Sequence, residues 1–452
     1  MTGTRDSLVA NIRGIIKTGA IKRRILQTIF PMLFTLPQRH NMKQVAIATA
    51  KWFCNCSVSL RPADCVVKPR RCAASPAFYA LSTELMKTDH FTKPLRGDYK
   101  WSGYNEGTIH NWYSRELGLA QFNRELVARH GSGDFVTIFD PSFMPKSGKK
   151  TPGIERRWSG QAQATKRGIE IGCFAVGDIG HHTAFHLHAE LTPSGADLKD
   201  AGKNLMSHYV DLVGKRVDDI LHFGGILACD GYFGVSTFVN PVMQLGIVVI
   251  SCLKINMALH YAPMEVTGKK RRGRPAVKGA KIKWDAIAEN LLPVVYEDKE
   301  KRVRCAEVWV KCLGRIVRLV AVEYLKADGS LQRRKLYFCT QRDKAWDWIL
   351  ERYGIRFQIE FLFRDAKQFL GITHCQSTNP TKIENHANLA LTALSVAKVT
   401  HWLPIAKEER GPFSMAELKM YYHNLALIER FSCALGLDPT LTKNNPKIKE
   451  LL

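Results

Sequence analysis

Within the segment Tyr353-Gly-Ile-Arg356-Phe-Gln-Ile-Glu360-Phe-Leu-Phe-Arg-Asp-Ala-Lys367, a phenol, two cations and a carboxylate stand at offsets 0, 3, 7 and 14. At about 100° per residue these four side chains fall on one helical stripe about 60° wide. Glu351 and Asp365 fall on other faces. Such a stripe suits phosphate and metal; the plain alternative is a solvated helix face with internal ion pairs. Ile355, Phe357, Ile359, Phe361 and Phe363 weigh against that alternative. They predict a largely buried helix whose polar stripe needs partners. Two apolar runs also end in an acid: FVTIFD at Asp140 and GILACD at Asp230. Three carboxylates from Asp140, Asp230 and Glu360 can hold two hard divalent cations. A pair of such ions about 4 Å apart clamps both oxygens of an in-line phosphoryl displacement by water or a 3′-hydroxyl.

A sheet and a helix must bring these acids together. Phe135–Asp140, Gly168–Val176, Thr183–Leu191, Gly225–Asp230 and Gly246–Ile250 have strand character, and 197–222 has that of a helix. The order predicts an α/β unit with a mixed sheet, and in such sheets function collects at strand carboxyl ends. Gly268–Lys283 carries eight basic residues and no acid, and predicts a loop. Arg302–Cys312, Arg315–Leu325 and Leu331–Thr340 predict three more strands, with a hairpin turn at Asp328-Gly329. Helix resumes near Arg342, breaks around Gly371–Pro380 and continues through Trp402.

The 452 residues are 45% hydrophobic and 24% charged, which excludes wholesale disorder. A formal charge of +25 points to a polyanionic partner, nucleic acid before an anionic membrane. The apolar runs Ile247–Ile250 and Leu389–Val396 are far too short to span a bilayer. No secretory signal is expected at the N-terminus. Residues 1–51 hold nine Lys/Arg against Asp6 alone, on apolar spacing that fits amphipathic helices. They predict a helical DNA-binding region, or otherwise a solvated helical subdomain. The scattered cysteines indicate reduced thiols inside a cell. Among them Cys54, Cys56, Cys65 and Cys72 cluster, but one intervening residue is too few for the usual zinc knuckle. His181, His182, His186 and His188 sit on a strand and its turn without a third ligand in view, so a structural role is expected.

Tyr-x2-Arg-x3-Glu-x6-Lys at 353–367 resembles, at every spacing, the signature of a large group of bacterial insertion-sequence DDE transposases. Phe139-Asp140-Pro-Ser142 is similar to that group's first-acid motif, with Ser142 where Thr is usual. Cys229-Asp230-Gly-Tyr-Phe233 is similar to its second-acid motif. Trp158-Ser-Gly, Lys166-Arg-Gly168 and Leu253-Lys254-x-Asn256 fall in order, so that the resemblance covers about 130–400. It implies an RNase H-like mixed-sheet catalytic core with a β-rich insertion, behind a helical N-terminal DNA-binding region. The expected division is 1–127 for that region, 128–261 and 342–402 for the core, 262–341 for the basic loop and insertion, and 403–452 for a C-terminal helical region. Catalysis would fall to Asp140, Asp230 and Glu360 with two Mg²⁺ ions, Mn²⁺ substituting. Arg356 and Lys367 would hold phosphates, Tyr353 would fix the DNA strand, and Lys254 would contact DNA.

The implied partners are double-stranded DNA, as terminal inverted repeats and target, and a second copy in a homodimeric synaptic complex. The implied location is the bacterial cytoplasm, at the nucleoid. Trp309, with Trp346 second, is a candidate platform for a flipped base, although a Trp on an alternating strand more often packs in the core. Arg272-Gly-Arg274-Pro275 resembles an AT-hook core; as a plain basic loop it would still meet phosphates. Two rivals stand beside the transposase reading: a catalytically silent DNA-binding derivative, and another RNase H-like nuclease such as a junction resolvase.

Overall fold

The computed structural model describes residues 113–452 apart from 116, 149, 160–162, 264–275, 404 and scattered positions beyond 418. The expectations for the basic N-terminal stretch, for Cys54, Cys56, Cys65 and Cys72, and for Arg272 and Arg274 therefore lie outside the described residues.

The first described helix, α1 (Leu119–His130), crosses the expected boundary at 127 and packs into the same core as the strands that follow. Those strands are β1 (Phe135–Pro145), β2 (Glu155–Ser159), β3 (Ala164–Asp178) and β4 (Thr183–Leu191). The helix expected over 197–222 is three: α2 (Gly195–Asp200), α3 (Leu205–Lys215) and α4 (Val217–His222). Gly202 in the left-handed region and a reciprocal Asn204–Ser207 cap end one helix and start the next. Then come β5 (Ile226–Cys229), a 3₁₀ turn (Gly231–Phe233), α5 (Ser236–Gln244) and β6 (Val248–Leu253).

These elements build the RNase H-like mixed sheet, in spatial order β4, β3, β1, β5, β6. β1 is antiparallel to β3 and parallel to β5, and β5 is parallel to β6. Val136, Ile138 and Phe139 on β1 are fully buried, as a central strand covered on both faces requires. Phe139 packs on Phe174, Tyr209 of α3 and Phe233, with centroids 4.7–5.5 Å apart. A Cβ at Gly177 would meet Ile355, which places the segment after residue 346 over the other face.

The sheet does not stop at β6. After β7 (Leu259–Tyr261) and β8 (Val294–Glu297), the strands β9 (Lys301–Val310), β10 (Arg315–Leu325) and β11 (Leu331–Cys339) form a meander. β11 pairs with β6, so the meander extends the core sheet instead of forming a separate layer. α6 (Trp346–Gly354), a 3₁₀ turn (Ile355–Phe357), α7 (Gln358–Phe369) and α8 (Pro380–Trp402) complete the core.

α8 seals the free edge of β4, which would otherwise present unpaired backbone groups. Asn388 accepts from Ala189 N at 2.8 Å and donates to Ala189 O at 2.6 Å. Ser395 accepts from His186 N, Glu384 from Leu191 N, and Asn123 of α1 donates to Leu187 O. The four histidines are consumed by this packing or lie beside it. His186 meets Asn388 and Cys173, and His181 meets Asp178 and Lys407 O. A bulge in β4 opposite Phe174/Ala175 breaks the alternation that would put His186 and His188 on one face.

Lys398 is buried in this seam, its ammonium donating to Thr183 Oγ1 at 2.6 Å and to Ala184 O. Burial brings its pKa down to about 7, against weak support from Asp178 and Asp365. Because that value lies below the unfolded one, the side chain's contribution is full at high pH and is lost as pH falls toward 7. The stability of the wild type relative to Lys398→Met is therefore expected to drop by about 1–3 kcal/mol between pH 9 and pH 7. Urea unfolding of both proteins at the two pH values measures it; a constant difference would show that Lys398 keeps an ordinary pKa.

Candidate active site

Phe139 of β1 and Cys229 of β5 are parallel partners, and the acids follow each by one residue. Asp140 and Asp230 thus leave adjacent strands at the same level, on the carboxyl edge of the sheet. Adjacent strands lie about 4.8 Å apart. Beneath them Phe139 and Phe233 meet edge to face in the buried aromatic cluster and fix both backbones. Asp230 starts the 3₁₀ turn, its carboxylate accepting from Tyr232 N at 2.9 Å, and Ser251 donates to its carbonyl at 2.7 Å. Gly231 sits close against Cys252, where a Cβ would lie 2.8 Å from its Sγ and 3.3 Å from its carbonyl oxygen.

Glu360 comes from the first turn of α7, held by buried Ile359, Leu362, Phe363 and Ala366. Tyr353, Arg356, Glu360 and Lys367 lie on contiguous right-handed helical backbone, with Gly354, Ile355, Phe357 and Gln358 all in the α region. The 3₁₀ turn at 355–357 winds more tightly between α6 and α7, which shifts Tyr353 around the axis relative to Glu360 and Lys367. The four nevertheless converge by contact. Arg356 lies between two acids, 3.3 Å from Glu360 Oε1 and 4.0 Å from Asp140 Oδ2. Its guanidinium also stands over the Tyr353 ring, 5.7 Å from the centroid. Lys367 donates to Ser142 Oγ at 3.1 Å and feels the Asp140 charge, while burial draws its pKa down.

The Tyr353 ring packs on Tyr337, with centroids 4.8 Å apart, and burial followed by a bond to Cys252 pushes its hydroxyl well up. It buttresses Arg356 from the sheet side. Phe357, expected to be buried, is 48% exposed, and Tyr232 is 53% exposed. Phe357 lies one helical turn before Glu360 and Tyr232 two residues after Asp230; the sequence names both residues but does not show that they are exposed.

The electrostatics favour a cation. Asp140, with 19% of its side chain exposed, is pushed up to about 7, by burial first and then by Asp230 and Glu360, while Arg356 opposes. Three mutually repelling hard oxygen donors fit a divalent ion in chemistry. Among the described residues no three His, Cys, Asp or Glu side chains stand close enough to hold one, and the Arg356 guanidinium bridges Asp140 and Glu360.

Lys254 is exposed just past β6, on the same carboxyl edge. Trp309 is not at this site. It stands on β9, with β6, β11 and β10 between it and β5, about 19 Å away at 4.8 Å per strand. There it is half-buried, edge-on to His260 and capped by Lys278, 4.9 Å from its centroid. Trp346 packs on Tyr296.

A family model described as transposase DDE domain matches residues 132–396, from just before β1 through most of α8. The chain belongs to the DDE transposase family. The match takes in the sheet, the meander and the Glu360 helix, and supports a transposase of insertion-sequence type. Membership of this family implies DNA as substrate and an endonuclease or transferase activity, and the family generally uses divalent metals. A search of curated proteins returned no match. No helix among the described residues of this transposase is long and apolar enough to cross a membrane.

Proposed function

We propose that this transposase performs cut-and-paste transposition, cleaving phosphodiesters at the inverted-repeat ends of an insertion sequence and transferring the freed strands to target DNA. The observation that carries this reading is the level placement of Asp140 and Asp230 on adjacent strands, with Arg356 linking Asp140 to Glu360. Asp140, Asp230 and Glu360 would hold two Mg²⁺ ions, or Mn²⁺, which would activate the attacking oxygen and neutralise developing charge. Arg356, already poised between acids, and Lys367, steadied by Ser142, bind the phosphate flanking the reacting bond. Tyr353 holds Arg356 from below, and Lys254 receives DNA along the same edge. Two ends must be cut and joined together, so a homodimer on paired ends is the working assembly.

The test uses the purified full chain, Mg²⁺ or Mn²⁺, and a plasmid carrying the coding region with its flanking DNA. Double-strand breaks at the repeat ends, joining to target, and two protomers per paired-end complex by light scattering are expected. Tight binding of the ends without nicking in either metal would instead identify a silent DNA-binding derivative. Cleavage confined to four-way junctions would identify a resolvase.

A further inference from the structure

β1 outruns its parallel neighbour. Its pairing with β5 ends at Phe139, but its pairing with β3 continues past Asp140 to Pro145↔Gly168. From Gly168 β3 goes on with β2, through Arg156↔Arg167 and Trp158↔Thr165. Gly168 permits this crossover, since a Cβ there would lie 2.3 Å from Met144 O. The result is a ribbon that leaves the sheet at its catalytic edge.

Directly opposed residues of an antiparallel pair share a face. Arg156, Trp158, Thr165 and Arg167 therefore lie together, all of them exposed, with Trp158 61% exposed. The ion pairs of the ribbon belong to the opposite face, where Arg157 meets Glu155 and Glu170. Among the described residues Arg156 and Arg167 have no carboxylate partner, and Arg167 donates only to Gly148 O, at 3.3 Å. Two arginines directly across from each other repel unless an anion stands between them. An uncovered indole beside them offers a flat face for stacking.

We propose that this face of the β2–β3 ribbon is a second DNA-contact surface, with Arg156 and Arg167 on phosphates and Trp158 against a sugar or an unpaired base. The proposal rests on the reading of the chain as acting on DNA. Arg167 lies six residues along β3 from Cys173, the partner of Asp140. At about 3.3 Å per residue that is about 20 Å, or about six base pairs of duplex. The ribbon thus grips DNA flanking the reacting phosphate and sets the direction in which the duplex leaves the site. A second copy of this chain is a poorer occupant, because two such basic faces would repel.

The experiment measures binding of the full chain to a fluorescein-labelled 30-base-pair random duplex by anisotropy, in EDTA, over about 50–300 mM salt. Arg156→Ala/Arg167→Ala is expected to weaken binding and to lower the slope of log K against log salt by about 1.8, two phosphate contacts' worth. Arg156→Lys/Arg167→Lys should keep the slope. On the same duplex carrying a ten-nucleotide single-stranded overhang, Trp158→Ala should weaken binding about 5-fold or more. Unchanged melting temperatures are expected, the side chains being exposed. Wild-type binding with an unaltered slope in the double Ala variant would overturn the ribbon proposal and leave the DNA reading standing. Absence of duplex binding by the wild type would overturn both. A change of oligomeric state at unchanged DNA affinity would overturn it in favour of a contact between copies.

Discussion

Asp230→Asn is expected to lower single-turnover strand cleavage at least about 10³-fold while leaving DNA affinity and melting temperature near wild type. The asparagine oxygen can still accept from Tyr232 N, and Ser251 still bonds the unchanged carbonyl, so the turn that follows β5 keeps its cap. What is lost is a full negative charge at the level of Asp140. Removing one preorganised electrostatic group from an active site costs about 10²–10³-fold, and an essential metal ligand costs at least that. Glu360→Gln should behave alike, since its amide oxygen can still accept from Arg356 at the position now 3.3 Å away. Asp365→Asn is the control. That acid pairs with Arg364 on another face of α7 and should leave cleavage near the wild-type rate. Unchanged cleavage in Asp230→Asn or Glu360→Gln would reject the assignment of these acids.

The legible parts of the sequence are those set by local pattern. FVTIFD and GILACD announce buried strands, and an acid at the end of such a strand in an α/β sheet falls on the functional edge. The meander from 301 to 339 follows from alternation and the Asp328-Gly329 turn, with Gly329 at φ 78°. What failed was decided by distant partners. The tighter 3₁₀ turn at 355–357 has no proline to signal it. There Ile355 seats over Gly177, a strand residue far away in sequence. The pairing of β11 with β6 could not be read from either strand, because both are largely buried, largely apolar runs where they meet (Ile250–Leu253 and Leu336–Cys339), and such runs fit several neighbours. β2 was invisible for the opposite reason: ERRWS has no apolar alternation, and its extended backbone is stabilised by hydrogen bonds to β3. The three short helices over 195–222 were legible in principle, through Gly202 and the Asn204–Ser207 pair, but the long apolar periodicity masked the caps.

Glu323→Ala is expected to cost about 3–5 kcal/mol of stability. Glu323 is 3% exposed on β10, between two arginine-bearing strands. One oxygen accepts from Arg334 Nε at 2.8 Å and Nη2 at 2.6 Å, and the other from Arg304 Nε at 3.4 Å. Removing the carboxylate leaves the buried Arg334 guanidinium without its anion, and Arg304 with Glu289 alone. Breaking a buried pair in this way costs far more than the pair contributes when intact. The damage would spread, because Arg304 also holds Glu289 at 2.6 Å and Leu292 O at 3.1 Å, and Arg334 stacks on Trp284. Those contacts fasten the chain between the basic loop and β8 onto the sheet. Glu323→Gln keeps an acceptor and should cost less. Glu307→Ala breaks an exposed pair with Arg342 at 3.1 Å on the same meander and should cost under about 1 kcal/mol. Urea unfolding compares the three. Equal midpoints for Glu323→Ala and Glu307→Ala would mean that the arginine cluster is hydrated and that the meander is held by its apolar face alone.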